Sequence, residues 1–325
     1  MNNLLFLNKK EIEACLSVDR FMDKIEDAYM QSRKGNYCMP LRSSIEVENK
    51  TILYMPCVAE RLIGTKLLTI FPDNHIINKP ILDGLMVLND FETGETTALL
   101  DGKTLTSIRT GAVGGVAVKY LSRKDCTSLG VIGAGPQGFY QVLFACRARK
   151  IRKVYIYDAF VSDLTAFINN LKYMLKDNKI EFIECKKVEE LLENSEIVIT
   201  ATPSNLPVIP NKKELLEGKC YIGIGSYKPN MKEYPNAIWS LANNVFIDSE
   251  FAIEESGDIS QPLKEGILTK DRIKLFSDLI NSDEKHINGE TTFFKSVGMA
   301  LFDLYIGDEI YKIALENNVG QKINC

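Results

Sequence analysis

Hydrophobic and polar positions repeat with different periods in the two parts of this 325-residue chain. In the first part, a short strand is predicted within residues 1–10. An amphipathic helix is predicted from Ser17 to about Arg33, because apolar positions recur there at helical spacing. Short apolar runs bounded by turn residues then predict an antiparallel meander. Its strands are predicted at Thr51–Pro56, Leu62–Phe71, Leu85–Phe91 and Thr96–Asp101.

From residue 128 the apolar runs alternate with helical segments, which is typical of a parallel, doubly wound sheet. These runs lie near 129–133, 154–158, 180–183, 196–200, 220–224 and 245–248. Before them, Lys103–Leu121 predicts a glycine-rich helix. Glycine at this density weakens a helix, so we expect another element to pack very close to it. After them, Phe293–Asn317 predicts one long amphipathic helix that returns to the first part of the chain.

The two patterns predict an α/β protein with two domains, in keeping with its length. One domain comprises residues 1–113 and 300–325 and is α+β, built from the N-terminal part and the C-terminal helix. The other comprises residues 114–299 and contains the doubly wound parallel sheet.

One glycine motif lies at the first turn of the predicted parallel sheet. The apolar run there ends in a G-x-G-x-x-G sequence made of Gly133, Gly135, Pro136, Gln137 and Gly138. In a dinucleotide-binding turn the first glycine permits the tight turn, the second lets the backbone approach a pyrophosphate, and the third lets helix and strand pack. An ordinary glycine-rich turn is the alternative. The strand before the motif and the helix after it favour a Rossmann-type dinucleotide site.

An acidic residue, Asp158, ends the next apolar run, 20 residues after Gly138. A carboxylate at this position accepts hydrogen bonds from both ribose hydroxyls and repels a 2′-phosphate, so it favours NAD(H) over NADP(H). The alternative is an exposed acid at a strand end. The nearest cations, Arg152 and Lys153, precede the strand and are expected at its opposite end.

Composition and charge narrow the function classes. Hydrophobic residues make up 45% and charged residues 25% of the chain, and the net charge of −4 argues against a nucleic-acid partner. No apolar run is long enough to cross a membrane. The eight cysteines are scattered without a C-x-x-C pair, which indicates a reducing, cytoplasmic setting. With two histidines, His75 and His286, a metal site is not expected.

Three cations stand next to apolar strands or in apolar surroundings: Arg42, Lys66 and Arg109. Each alone has an ordinary interpretation as a solvated side chain. Lys66, however, shares its strand face with Gly64 and Leu68. A lysine half-buried there has a lowered pKa and can carry a proton. Together, the two arginines and the lysine would suit a substrate carboxylate, since arginine pairs with carboxylates through two parallel bonds.

The whole chain resembles the ornithine cyclodeaminase/μ-crystallin family. The resemblance is carried, in the family's order, by Met55-Pro56, Lys66–Asn74, Leu105–Ala112, Gly133–Gly138, Thr200–Thr202, Phe246–Ser249, Gly257-Asp258 and Phe294–Gly298. It implies an N-terminal substrate and dimerisation domain completed by the C-terminal helix, around a central NAD-binding domain. It also implies that Arg42, Lys66 and Arg109 surround the substrate carboxylate, and that Thr202 and Ser296 line the cofactor.

Two positions depart from the family's cyclodeaminases. Those enzymes carry an aspartate two residues before the proline of the segment Gly225–Pro229, where this chain has Tyr227. They also carry a glutamate two residues before the Met-Pro pair, where this chain has Leu53. Deamination of a diamino acid involves two amines, and both carboxylates suited to them are missing. A tyrosine, with an ordinary pKa near 10, does not normally supply a negative charge.

These residues favour a reductase. NADH would deliver hydride to the C=N carbon of a ketimine or cyclic imino acid, such as a pyrroline- or piperideine-2-carboxylate. Arg42 and Arg109 would hold the carboxylate, Lys66 would protonate or polarise the nitrogen, and Leu53, Met55 and Tyr227 would line the pocket. The alternatives are ornithine cyclodeaminase, an alanine dehydrogenase-like enzyme, and a ligand-binding protein like μ-crystallin. The resemblance further implies a homodimer.

Overall fold

The computed structural model describes residues 3–176, 179–282 and 290–324; His286 lies outside these ranges. The chain forms two compact units. The first consists of Met1–Arg109 and Met299–Cys325, and the second of Thr110–Gly298. The predicted α/β fold class is confirmed, since one unit carries a mixed sheet and the other a parallel sheet with helices between its strands.

From residue 3 to residue 121 the structure describes seven strands and three α-helices, together with a 3-10 helix at Pro72–Ile77. The strands and α-helices are β1 (Asn3–Leu7), α1 (Lys9–Ala14), α2 (Val18–Lys34), β2 (Tyr37–Cys38), β3 (Ser43–Val47), β4 (Lys50–Ala59), β5 (Leu62–Ile70), β6 (Leu82–Asn89), β7 (Thr96–Asp101) and α3 (Gly102–Leu121). The predicted meander is β4 to β7, with its strand ends shifted by a few residues. Its strands pair antiparallel in sequence order, as short turns require.

The middle part supplies the second sheet. Its elements are β8 (Ser128–Ile132), α4 (Pro136–Ala148), β9 (Lys153–Tyr157), α5 (Thr165–Met174), β10 (Glu181–Glu184), α6 (Val188–Asn194), β11 (Ile197–Thr200), α7 (Lys213–Leu216), β12 (Cys220–Gly223), β13 (Val245–Ile247), α8 (Ala252–Glu255), α9 (Gly257–Lys264), β14 (Ile273–Leu275), α10 (Phe276–Ile280) and β15 (Thr292–Lys295). The strand order is β10-β9-β8-β11-β12-β15-β13-β14, all parallel. The chain reverses its direction of winding between β8 and β11, which is where such sheets bind ligands.

The chain then returns to the first unit. Helix α11 (Ala300–Glu316) packs against α2 and against β4, β5 and β6, and β16 (Gln321–Asn324) pairs with β1 at the edge of the sheet. The first sheet has the order β16-β1-β7-β6-β5-β4-β2, with β3 also paired to β4. The rings of Tyr29 and Phe302 meet edge-on at 4.8 Å in the core between α2 and α11.

The predicted single helix Phe293–Asn317 is wrong at its start. Residues 292–295 form β15, which lies between β12 and β13 inside the parallel sheet. A fully buried strand has no alternation of apolar and polar positions, so its pattern resembles that of a buried helix. Gly298, at φ +83°, separates the strand from α11.

The close packing expected of the glycine-rich helix is present within the second unit. A Cβ added at Gly111, Gly114 or Gly115 would lie 2.7, 1.8 and 2.7 Å from atoms of Tyr140, Gln141 and Phe144 respectively. The missing side chains therefore let α4 approach the second half of α3 at close range. The described helices include none long and apolar enough to cross a membrane.

Candidate active site

Lys66 lies in the middle of β5 and is fully buried. Alternation along the strand places it on the inner face with Gly64 and Leu68, the face that packs against α11. Gly64 matters for this packing, because a Cβ there would lie 3.0 Å from Leu304 of α11. The bare position lets the helix approach the strand that carries the lysine.

A carboxylate from α11 joins Lys66 to Arg109. Lys66 Nζ donates to Asp303 Oδ2 at 2.5 Å, and Arg109 Nε donates to Asp303 Oδ1 at 3.0 Å. The side chains of Lys66 and Asp303 have no exposed surface, and that of Arg109 is 8% exposed. We call these three residues the cation cluster. Sequence reasoning predicted its two cations but not the carboxylate between them.

Burial is the main influence on the lysine. It lowers the pKa of Lys66 to about 8, although the adjacent carboxylate of Asp303 acts in the opposite direction. The nearby positive charges of Arg109 and Arg42 lower the pKa further. An amine with a pKa near 8 exchanges protons readily close to neutral pH, which suits a general acid or base.

The other predicted substrate residues of the first unit lie around the same face. Met55 is buried and pairs across the strands with Lys66, while Leu53 pairs with Leu68 two positions further along. Arg42 is half-buried in the segment before β3 and is close enough to act on the pKa of Lys66. Leu53, at the family's glutamate position, therefore shares the sheet face of the lysine.

The predicted dinucleotide motif forms the turn between β8 and α4, and we call residues 133–138 the glycine turn. Gly133 has φ +106°, and a Cβ there would lie 2.6 Å from the carbonyl oxygen of Ala201. A Cβ at Gly138 would lie 1.9 Å from the carbonyl oxygen of Gly133, so no larger residue fits. Gly135 is the N-cap of α4 and Pro136 begins the helix, as predicted.

Asp158 follows β9 and lies against the glycine turn. Its Oδ2 accepts from the backbone N–H of Ala134 at 2.8 Å, and its Oδ1 accepts from Phe160 and Val161. Lys153 is the first residue of β9 and Arg152 directly precedes it, so both cations lie at the end of the strand opposite Asp158. The carboxylate thus lies where a ribose bound at this turn would meet it.

Thr202 lies beside the glycine turn and is held by a buried carboxylate. Its methyl group is 3.3 Å from where a Cβ of Gly133 would lie. Its backbone N–H and its hydroxyl both donate to Glu233 Oε1 at 2.8 Å, while Glu233 Oε2 accepts from the backbone N–H groups of Gly225 and Ser226. Glu233 thereby ties together the loops that follow β11 and β12. Burial raises its pKa.

Ser296 has a similar arrangement after β15. Its hydroxyl donates to Asp248 Oδ2 at 2.7 Å, and the same oxygen accepts from the backbone N–H groups of Val297 and Gly298. Both hydroxyls assigned to the cofactor therefore direct their protons at buried carboxylates. Each is left with oxygen lone pairs, so Thr202 and Ser296 can act as acceptors for an amide N–H.

A second buried charge network supports these loops. Lys295 Nζ lies 3.2 Å from Asp258 Oδ2 and 3.9 Å from Glu233 Oε2, and all three side chains are fully buried. Asp258 Oδ1 accepts from the backbone N–H groups of Glu233 and Tyr234. Sequence reasoning noted Asp258 and Lys295 as family positions without a role and missed Glu233. Of these three, only Lys295 shows a local signal, since it is a single charged residue in an apolar run.

Tyr227 follows the loop that Glu233 holds and is 37% exposed. Partial burial raises the pKa of its phenol. The phenol therefore stays neutral near pH 7, and this position carries no negative charge. No group of three or more His, Cys, Asp or Glu side chains in the described residues is arranged to hold a metal ion.

Two features of the glycine turn suit a bound dinucleotide. A Cβ added at Gly135 would meet nothing within 4 Å, so the packing of the protein does not explain this glycine, whereas a close-approaching phosphate does. The side-chain oxygen of Gln137 is buried and has no hydrogen-bond partner among the described residues. That oxygen suits a hydrogen-bond donor on a ligand, and the N–H groups at the start of α4 suit an anionic group such as a phosphate.

Fold and site together define an NAD-binding oxidoreductase built from two units. The model of the ornithine cyclodeaminase/mu-crystallin family matches residues 2–318, and the chain belongs to this family. It is 37% identical over 294 residues to a Delta(1)-pyrroline-2-carboxylate reductase of Bacillus cereus, a match that covers 87% of this chain and 88% of the relative.

Two solved structures are similar over nearly the whole chain. One is the Thermococcus litoralis Delta(1)-pyrroline-2-carboxylate reductase in complex with NADH and L-proline, with TM-score 0.91, 32% identity, and coverage of 98% of this chain and 100% of that one. The other is an archaeal alanine dehydrogenase dimer with bound NAD, with TM-score 0.88, 30% identity and 99% coverage of both chains. The predictions of family, NAD(H) cofactor and oxidoreductase class are confirmed.

Proposed function

We propose that this protein reduces the C=N bond of a cyclic imino acid, with pyrroline-2-carboxylate as the leading substrate. The cation cluster carries the proposal, because it offers the guanidinium of Arg109 for a carboxylate and, in Lys66, an amine with a pKa near 8 for proton transfer. The names of the Bacillus cereus and Thermococcus litoralis relatives support the substrate class.

In this mechanism each residue has a separate task. Arg109 and Arg42 bind the substrate carboxylate, and Lys66 donates a proton from its ammonium to the imine nitrogen. NADH, when bound to the glycine turn, supplies the hydride that the imine carbon receives. The product is the secondary amino acid, and neutral Lys66 regains its proton from solvent. Leu53, Met55 and Tyr227 add no charge at the positions assigned to the pocket, so they suit an apolar ring.

The two units have different tasks in this proposal. Residues 1–113 and 300–325 form the substrate-binding and dimerisation domain, and residues 114–299 form the NAD-binding domain. Gly133, Gly135, Pro136, Gln137 and Gly138 bind the pyrophosphate, while Asp158 binds the ribose and disfavours NADPH. Thr202 and Ser296 accept hydrogen bonds from the nicotinamide carboxamide.

We also infer a cytoplasmic homodimer that has no nucleic-acid or membrane partner. The seven cysteines of the described residues are all free, in keeping with a reducing compartment, and the net charge is −4. The archaeal alanine dehydrogenase neighbour is a dimer.

The test is a steady-state assay that follows the absorbance of NADH with pyrroline-2-carboxylate, piperideine-2-carboxylate, and pyruvate plus ammonia or methylamine. We expect reduction of a cyclic imine, a strong preference for NADH over NADPH, and a rate that falls as pH rises through the pKa of Lys66. The decrease follows because reduction consumes the ammonium form. Lys66→Gln is expected to lower kcat/KM by roughly 10²–10⁴-fold.

The exposed lysine Lys172 provides the matched control, and Lys172→Gln should leave the rate unchanged. Thermal unfolding of both variants separates a lost proton donor from lost folding. Two results would contradict the proposal: formation of proline from ornithine without net change in NADH, or oxidation of alanine with no activity on any cyclic imine. Cofactor binding without turnover, unaffected by Lys66→Gln, would indicate a ligand-binding protein.

A further inference from the structure

We propose that Asp303 is a positioning residue that keeps Lys66 protonated and directs Lys66 and Arg109 toward the same substrate. The inference rests on the proposed function, in which Lys66 supplies the proton. Asp303 itself touches neither cofactor nor substrate in this scheme. It acts through the two side chains that it binds.

The geometry shows one carboxylate shared by two cations. Each oxygen of Asp303 accepts from a different one, Oδ2 from Lys66 at 2.5 Å and Oδ1 from Arg109 at 3.0 Å. The lysine comes from β5 and the arginine from α3, so α11 fixes the distance between side chains of two separate elements. The carboxylate occupies one of the three ammonium donors and the Nε of the guanidinium. Bidentate pairing with a substrate carboxylate then falls to the Nη groups of Arg109.

The charge balance explains why a carboxylate is needed at this point. Two adjacent buried cations without an anion are strongly unfavourable, and the lysine would lose its proton. With Asp303 ionised, the cluster has a net charge of +1, which matches one substrate carboxylate. The other groups that act on Lys66 are Arg42 before β3 and the apolar side chains Met55 of β4 and Met86 of β6, its strand partners.

Cys57 of β4 is a further titratable group on which the charge of Asp303 acts. Burial raises the pKa of its thiol to about 12, with the negative charge of Asp303 adding to the effect. Cys57 therefore stays neutral over the working pH range. Protonation of Lys66 in this environment depends on Asp303, since burial and both arginines oppose it.

The test compares Asp303→Asn with the wild-type enzyme in both directions of the reaction. Reduction needs the ammonium, so its kcat/KM falls as pH rises through the pKa of Lys66. Asparagine removes the charge that favours the ammonium, and we expect this fall to move to lower pH by about one unit or more. Oxidation of L-proline needs the neutral amine of Lys66, so its kcat/KM rises with pH. In Asp303→Asn this rise should also move to lower pH. At pH 7 a shift of one unit lowers the protonated fraction of Lys66 about twofold, so kcat for reduction should fall by at least about that factor, while KM changes much less.

Two further variants separate positioning from general damage. Asp308→Asn removes a carboxylate from the same helix, where it pairs with Lys312, and should leave both pH profiles unchanged. Asp303→Glu keeps the charge but displaces it by one methylene, so the pH profile should stay near wild type while kcat falls. An unchanged kcat in Asp303→Glu, or unchanged profiles in Asp303→Asn, would overturn the proposal.

A direct measurement of the pKa of Lys66 tests the role of Asp303 independently of the proposed function. The Nζ signal of Lys66 can be followed by NMR against pH in lysine-labelled protein and assigned by its loss in Lys66→Gln. If no imine is reduced, the proposed function fails, yet the pKa of Lys66 should still be lower in Asp303→Asn. If that pKa does not change, Asp303 does not control the lysine, whatever the activity.

Discussion

At the scale of single residues, two glycines of the glycine turn differ in how closely the rest of the protein packs against them. A Cβ at Gly138 would lie 1.9 Å from a backbone oxygen, whereas a Cβ at Gly135 would meet nothing within 4 Å. Both are glycines of the same motif, and a sequence pattern assigns them the same importance. The structure separates them: Gly138 is required by the packing of the protein, whereas packing does not account for Gly135, the N-cap of α4.

This difference gives a paired prediction. Gly135→Ala should fold with thermal stability close to wild type but bind NADH at least about tenfold more weakly, since its methyl group occupies the space assigned to the pyrophosphate. Gly138→Ala should lose about 1–3 kcal/mol of folding free energy from the steric conflict with Gly133. Thermal unfolding and calorimetric titration with NADH measure the two effects. Equal NADH affinity of Gly135→Ala and wild type would place the pyrophosphate elsewhere.

The residue scale also shows where sequence reasoning stops. Lys66 was predicted because a lone cation interrupts an apolar strand, and Asp303 is an equally isolated acid among Leu301, Phe302 and Leu304. The two residues are 237 positions apart, and nothing local in either pattern indicates its partner. Glu233 gives less of a signal, because Lys232 directly precedes it and the pair looks like exposed polar residues. A buried charge requires a partner of opposite sign. Two isolated, opposite charges in separate apolar runs of a sequence are therefore candidates for a buried ion pair.

At the scale of elements, the crossing of α3 and α4 depends on bare positions. A Cβ at Gly111 would lie 2.7 Å from Cβ and 3.0 Å from the backbone carbonyl carbon of Tyr140. Gly307 in α11 is different, because its Cβ would lie 3.6 Å from the nearest atoms, which is ordinary contact. Helix propensity favours alanine equally at both positions, by about 1 kcal/mol.

The same substitution should therefore have opposite effects in the two helices. Gly111→Ala should lower the free energy of unfolding by about 1–3 kcal/mol, since α4 must move away. Gly307→Ala should raise it by about 0.5–1 kcal/mol. Denaturant unfolding measures both. If Gly111→Ala also raised the free energy of unfolding, α3 and α4 would not pack as closely as described here.

The pattern of elements was largely predictable from the sequence, with instructive exceptions. The meander and the strands that carry the glycine turn and Asp158 are predictable because each is a short apolar run with turn residues at its ends. Strand β15 was assigned to a helix because it is apolar throughout and borders another apolar segment. Its place in the sheet depends on pairing with β12 and β13, which are distant in sequence.

At the scale of the whole molecule, the outer face of the first sheet carries neighbouring apolar side chains, and several of them are exposed. Cross-strand pairs place Ile45 with Ile52, Tyr54 with Leu67, and Leu67 with Leu85 on the face opposite Lys66. Within this face, Ile45, Tyr54 and Leu85 are 50%, 37% and 38% exposed. A contiguous apolar patch of this kind on a sheet is typical of a protein–protein interface.

We predict that this face forms the homodimer interface. Leu85→Glu places a charge at the middle strand of the patch, and burial of an unpaired carboxylate in an interface is strongly unfavourable. Wild-type protein should sediment with twice the 36.6 kDa chain mass, and Leu85→Glu should shift toward the single-chain mass at the same concentration. Leu315→Glu is the matched control, because Leu315 is 51% exposed on α11 in the same unit, away from this sheet face. A dimer that survives Leu85→Glu, or a monomeric wild type, would exclude this face as the interface.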